Sequence, residues 1–229
     1  MQWIWFEDYK VRSAADNMAA DQRLLDLQAG SPDSCPVVRI YTWGEPAVTC
    51  GRLQRLESVQ QAYPDLEVAR RPSGGRAVLH GDDLTVTVAL RETVLANAAG
   101  ASVDSSFRAI AQAVIEALNK SGQICGFGEG RRRADNHVDC FAHAASCDIV
   151  NYETNEKIVG CAQRRVDGAI LQQMSIVRHK GNREFPAILR ASMSSVYGAN
   201  EWRFVDSEMA LCYTGPISTG ANVQGRELI

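Results

Sequence analysis

The feature that most constrains this chain is a pair of strand-length apolar runs, 157–165 and 169–178, joined through Asp167-Gly168. A connection of that length and type turns the backbone sharply on itself, so the two runs are read as adjacent antiparallel strands of a hairpin. A third run, 147–152, precedes them across Glu153-Thr154-Asn155-Glu156 and is read as one more strand in succession. Upstream, Trp3–Phe6, Val37–Trp43, Ala47–Cys50 and Glu67–Arg71 have strand character. The last is followed by the break Pro72-Ser73-Gly74-Gly75, then Arg76–His80, then the Thr/Val alternation of Leu84–Leu90. That order predicts a meander built around the glycine turn.

Helical spacing marks Ala14–Gln28, stopped at Gly30, and Ser105–Lys120. In the latter, Phe107, Ile110, Ala111, Val114, Ile115 and Leu118 form one stripe, with Asp104 as N-cap and Gly122 as stop. A last helix is expected from about Pro186, and the glycine- and arginine-rich stretch 122–133 is expected to be loop. Strands grouped with strands, and helices between the groups, predict an α+β fold of mixed, largely antiparallel sheets with flanking helices, not a doubly wound parallel sheet. With no repeat and no low-complexity linker, residues 1–229 are read as a single domain.

A net charge of -3 excludes a nucleic-acid protein that relies on a large excess of positive charge. The start MQWIWFEDYKVR lacks the basic and apolar regions of a secretory signal, and no apolar run approaches the roughly 18 residues of a membrane span. The expectation is a soluble cytoplasmic protein with reduced thiols. Its seven cysteines, 35, 50, 125, 140, 147, 161 and 212, include no C-x-x-C pair, which removes support for a zinc ribbon, a thioredoxin motif or a disulfide scaffold.

Three segments carry possible chemistry. Arg70–His80 combines paired glycines with arginines and suits an approach to an anion, or else is a hairpin turn with a solvated basic flank. It is neither a Walker loop nor a dinucleotide fingerprint, since no G-K-[ST] and no helix follow. The segment 131–147 holds His137, Cys140, His143 and Cys147 at spacings that match no common zinc site, so no metal is expected. One nucleophilic cysteine there is the functional reading, and a buried apolar cysteine the plain one. Glu156–Arg165 brings Lys157 into an apolar strand, where its ammonium would sit beside a substrate carbonyl or remain a surface charge at the strand start.

In order and spacing these segments resemble the biotin/lipoate protein ligase superfamily on its lipoate side. Asn17-Met18-Ala19-Ala20-Asp21 is similar to its first-helix motif. Tyr41-Thr42-Trp43, with Pro46-Ala47-Val48 and Gly51-Arg52-Leu53-Gln54, is similar to its next strand and turn. Arg70–His80 matches R-R-x-S-G-G-[GR]-A-V-x-H, and Lys157–Arg165 matches K-[IV]-x-G-x-A-Q-x-R. The resemblance spans roughly residues 3–200 and implies that superfamily's catalytic-domain fold.

Within it, the G-R-G-R-type loop of biotin ligases is absent, and only about thirty residues follow the last predicted helix, so no accessory C-terminal domain is expected. Ala169 stands where one octanoyltransferase branch has its cysteine. Cys140-Phe141 ahead of Lys157 matches the cysteine-dependent octanoyltransferase and lipoyl amidotransferase branches. The resemblance implies Cys140 as acyl-enzyme nucleophile and Lys157 as the cation that favours its thiolate and meets the acyl carbonyl oxygen. It implies an acyl site shaped by Arg71, Ser73, Gly74, Gly75, Ala77, His80, Gly160 and Ala162.

The implied donor is acyl carrier protein or a lipoylated H-protein-like protein, and the acceptor the lysine of a lipoyl domain, with Arg131, Arg132 and Arg133 as docking charges. No nucleic acid, membrane or tightly bound cofactor is expected; the octanoyl or lipoyl group is the transferred substrate. The chain departs from the family at Gln172-Gln173-Met174-Ser175-Ile176, where Q-H-G-S-[IL] is usual, and at Gly160-Cys161-Ala162, where Gly-Ser-Ala is commoner. The alternatives are an ATP- and Mg-dependent ligase whose accessory domain is a separate chain, and a non-catalytic lipoyl- or acyl-binding module. As a strand-end residue, Lys157 is expected to be replaceable by alanine without harm to the fold.

Overall fold

The computed structural model describes residues 1–95, 102–128 and 148–206. Along these residues run β1 (Gln2–Asp8), α1 (Ala14–Gly30), β2 (Val37–Thr42), β3 (Ala47–Cys50), α2 (Leu56–Ala62), β4 (Glu67–Arg70), β5 (Val78–His80) and β6 (Leu84–Arg91). After them come α3 (Val103–Lys120), β7 (Cys125–Phe127), β8 (Ile149–Asn151), β9 (Lys157–Val166), β10 (Ala169–Ile176), α4 (Phe185–Tyr197) and β11 (Glu201–Phe204).

The Asp167-Gly168 hairpin forms as expected. Both residues take positive φ, 48° and 75°, as a type I′ turn requires, and β9 and β10 pair antiparallel from Ala169–Val166 to Ile176–Val159. Around it grows an eight-stranded sheet in the order β11-β1-β2-β6-β10-β9-β8-β7, antiparallel except where β1 meets β2 and β11. The parallel β1–β2 pair needs a crossover, and α1 supplies it.

Alternation along β6 explains how the sheet is covered. Leu84, Val86, Val88 and Leu90 face a core built with Phe107, Ile110, Val114 and Leu118 of α3 and Leu189 and Met193 of α4. Thr85, Thr87 and Ala89 point to the other face, and Thr87 there bonds Asp21 of α1. The helix α1 buries Asn17, Asp21 and Gln28 along with its leucines. Asn17 and Asp21 enclose Arg39 of β2, which is fully buried. The guanidinium bonds Asp8 at 2.8 and 3.0 Å, Asp21 at 2.7 Å and the Asn17 side chain at 2.6 Å, and lies 3.9 Å above the Tyr41 ring.

Three expectations are corrected. The meander does not form: β3 is the centre of a separate three-stranded sheet, with β4 parallel on one side and β5 antiparallel on the other, while β6 belongs to the large sheet. The crossover between β3 and β4 is α2, whose single buried residue, Val59, leaves no apolar stripe to read. The glycine loop therefore wraps the end of β3 and does not join neighbouring strands. The second correction is that α3 starts earlier. Ser102 caps it by accepting from the Ser105 N–H at 3.1 Å, and Asp104 lies inside the first turn, paired with Arg108. Third, part of the stretch expected to be loop is strand β7, paired with β8.

The wrap is held by Arg71 N–H to Cys50 O at 3.0 Å and Arg52 N–H to Ser73 O at 2.9 Å. It brings Gly75 O to 1.9 Å from where a Cβ on Gly51 would stand, whereas a Cβ on Gly74 would meet nothing within 4 Å. Gly51→Ala is therefore expected to push the loop off β3 and lower the thermal midpoint by several degrees. Gly74→Ala should leave it within about a degree or two, as ordinary surface substitutions do.

Candidate active site

Between the two sheets lies a cavity with about 360 Å³ of free space, part of it open to solvent. Its walls are apolar or aromatic at Met18, Tyr41, Trp43 and Val78, and small at Gly160, Cys161 and Ala162. Polar side chains enter at Thr49, Arg71, His80, Thr85, Gln173 and Ser175. An apolar trough with a few convergent polar groups suits an acyl chain.

His80 is fixed on every side. Its ring stacks on Trp43 with centroids 3.9 Å apart, Nδ1 lies 2.8 Å from Asp83 Oδ2, and Nε2 lies 2.8 Å from Thr49 Oγ1. Asp83 also accepts from Ser175 Oγ at 2.7 Å, Thr85 Oγ1 at 3.2 Å and the Gly81 N–H at 3.0 Å. Burial pushes the Asp83 carboxyl up, but the hydrogen bond and charge of His80, with the Ser175 and Gly81 bonds, outweigh it, and its pKa falls below the ordinary value. A depressed folded-state pKa contributes stability that is present above the unfolded value of about 3.9 and is lost as pH falls through the folded one. Asp83→Asn is expected to flatten that acid limb in urea midpoints taken between pH 5 and pH 2.

Lys157 is not a surface charge. Its side chain is 3% exposed, and Nζ lies 2.9 Å from Asp148 Oδ2. The other carboxylate oxygen, Oδ1, accepts the Cys161 N–H at 3.1 Å. One buried carboxylate thus ties the Lys157 ammonium to the Gly160–Ala162 wall. This pairing follows from the β8–β9 register, in which a bulge separates Ile149↔Val159 from Val150↔Lys157.

At the opposite wall stands Gln173. Its Oε1 accepts from Ser73 Oγ, and its Nε2 donates to Asp21 Oδ2 at 2.6 Å. The glycine loop is thereby joined to Asp21 and so to Arg39, both fully buried. Arg71, 4% exposed, donates to Thr49 O at 2.9 Å, to Thr49 Oγ1 at 3.3 Å and to Gly74 O at 2.8 Å.

Of the residues singled out in the sequence, Arg71, His80, Gly160 and Ala162 line the cavity. Ser73 reaches it through Gln173, and Lys157 stands behind its wall. Gly74 and Gly75 form the loop over β3, and Ala77 is buried in a small core with Val48, Cys50 and Val59. Cys140, His137, His143, Cys147, Cys212 and Arg131–Arg133 lie outside the described residues. Cys35, Cys50, Cys125 and Cys161 are buried, and burial raises the Cys125 pKa to about 11. Among the described residues no group of three or more His, Cys, Asp or Glu is placed to hold a metal. No helix among them is long and apolar enough to cross a membrane.

Sequence reasoning missed Asp148, Asp83, Thr49 and the Asp21–Gln173 link. The only local signals were an acid entering the apolar run at Ile149 and an acid three residues beyond His80.

The two-sheet domain with its lysine-bearing strand has the fold of a lipoate ligase catalytic domain. A lipoate-protein ligase A bound with ATP superposes with a TM-score of 0.71 at 20% identity, covering 92% of this chain and 91% of that one. The chain belongs to the lipoyl protein ligase A/B catalytic domain family, whose model matches residues 13–208. Among curated relatives, octanoyltransferase LipM of Clostridioides difficile is 32% identical over 73% of this chain and 63% of its own length. Octanoyltransferase LipM of Moorella thermoacetica is 31% identical over 82% of this chain and 70% of its own. The chain thus spans about two thirds of the relatives it matches.

Proposed function

We propose that this chain moves an octanoyl or lipoyl group from a carrier protein, acyl carrier protein or a lipoylated H-protein-like donor, through a thioester on Cys140 to the lysine of a lipoyl domain. The observation that carries this reading is the buried Lys157 ammonium, anchored by Asp148 against the Gly160–Ala162 wall of an apolar cavity. An ammonium held in that way is preorganised to meet the negative charge that builds on a carbonyl oxygen, and it cannot swing to solvent. The similarity to LipM octanoyltransferases supports the same chemistry.

A thiolate suits the task, because it takes an acyl group from one thioester and surrenders it to an amine, replacing one hard transfer by two easier ones. Cys140 would attack the donor thioester carbon and the donor thiol would leave. The lysine amine would then attack the acyl-enzyme, form the amide and release the Cys140 thiolate. Neither step consumes ATP. Arg131, Arg132 and Arg133 would meet acidic groups on the acceptor. The test is transfer from octanoyl-acyl carrier protein to an apo lipoyl domain with and without ATP. Equal transfer in both is expected. Transfer that requires ATP and free lipoate, and survives Cys140→Ala, overturns the reading in favour of a ligase.

A further inference from the structure

We propose that Thr49, His80 and Asp83 form a second catalytic centre, at which the Thr49 hydroxyl takes an acyl group from a medium-chain thioester as an ester and passes it to water. It rests on the reading of the cavity as an acyl site, but not on Cys140. The three groups stand in the order that defines an activated nucleophile. The hydroxyl lies 2.8 Å from His80 Nε2, and His80 Nδ1 lies 2.8 Å from Asp83 Oδ2.

The geometry originates in the small sheet. Thr49 on β3 faces Val78 on β5, and His80 is two residues further along β5, so Thr49 and His80 are diagonal neighbours on one face. Asp83 is an orienting carboxylate. With its pKa held down and the bonds from His80, Ser175, Thr85 and Gly81 in place, it stays ionised and directs the imidazole proton to Nδ1. His80 Nε2, 2.8 Å from Thr49 Oγ1, is thereby left to accept the Thr49 proton. Stacking on Trp43 holds the ring in that plane. Arg71 Nη1 donates to Thr49 Oγ1 at 3.3 Å, and its positive charge there favours loss of the hydroxyl proton to His80. Thr49 and His80 both line the cavity.

In the first step Thr49 Oγ1 bonds to the thioester carbonyl carbon and its proton passes to His80 Nε2. The C–S bond breaks, and the leaving thiolate takes that proton to become a thiol. Water then attacks the ester carbon and gives its proton to His80. The C–O bond breaks and Thr49 recovers the proton, leaving the free acid. The sum is thioester plus water to acid plus thiol.

The experiment uses the full chain carrying Cys140→Ala, with S-octanoyl-N-acetylcysteamine as probe and no acceptor. Thiol release is followed together with peptide mapping for an octanoyl ester that survives neutral hydroxylamine. Release is expected, with the ester on the Thr49 peptide. Adding Thr49→Val should lower the rate about a hundredfold or more, the scale of losing a nucleophile and base pair. Thr49→Ser keeps the hydroxyl and should retain most of the rate, which a role in packing alone would not require. The proposal is overturned if the valine variant releases thiol as fast as its parent, if serine is as inactive as valine, or if no thiol is released. In a parallel arm with Cys140 intact and an apo lipoyl domain added, transfer without any Thr49-dependent hydrolysis would remove this inference and leave the transferase reading standing. Hydrolysis without transfer would do the reverse.

Discussion

Lys157→Ala is expected to slow acyl transfer by about 10²–10³-fold, the usual cost of removing one preorganised group that meets a developing oxyanion. Contrary to what its position at the start of a strand suggests, the substitution should also destabilise the fold. The side chains of Lys157 and Asp148 are 3% and 5% exposed, so alanine removes a buried ammonium from 2.9 Å beside the Asp148 carboxylate that also holds the Cys161 amide. Breaking a buried pair by deleting one partner costs about 3–5 kcal/mol. The two effects separate in the double variant Lys157→Met, Asp148→Asn. It removes both charges, keeps most of the volume and should recover most of the urea midpoint while remaining inactive. Recovery of transfer in that variant would remove the ammonium from the mechanism.

Arg39→Met is expected to be the most damaging single change to the fold. The guanidinium is fully buried among Asp8, Asp21 and Asn17, and it covers the Tyr41 ring. Methionine would leave two carboxylates in the core without their common cation, at a cost of about 3–5 kcal/mol. That is a large part of the roughly 5–15 kcal/mol that holds a domain together. The effect should reach the cavity, because Asp21 accepts from Arg39, Tyr41, Thr87 and Gln173, and Gln173 in turn holds Ser73. Denaturant unfolding should show the midpoint shift. A variant as stable as the parent would contradict this account of the network.

What could be read from the sequence was what is local. The hairpin 157–176 was legible because two residues with positive φ decide it. The stripe of α3 was legible because one face of it is apolar. Strand partnership was not, since β3 gathers β4 and β5 from opposite sides and β11 returns to pair with β1 across almost the whole chain. For α1 the difficulty was different: its buried face carries Asn17 and Asp21, which make sense once Arg39 is placed opposite, and Gln28, which bonds Cys35 O and Ser34 Oγ.

The site divides in the same way. Arg71, His80 and Lys157 stood out by type and position, whereas Thr49 and Asp148 are supplied by register and Asp83 by the turn that follows His80. Asp148 lies nine positions from Lys157, and only the bulged β8–β9 pairing brings the two together. Glycine's part was visible, but its reason was not. Gly51 is needed because the loop carbonyl of Gly75 passes over it.

The central claim is that an acyl group is carried on Cys140 without ATP. Intact-mass and peptide measurements after mixing the wild-type chain with octanoyl-acyl carrier protein alone test it most directly. The account predicts an octanoyl thioester on the Cys140 peptide, cleaved by neutral hydroxylamine, absent from Cys140→Ala and discharged when an apo lipoyl domain is added. Full transfer activity with no adduct at Cys140 would contradict it.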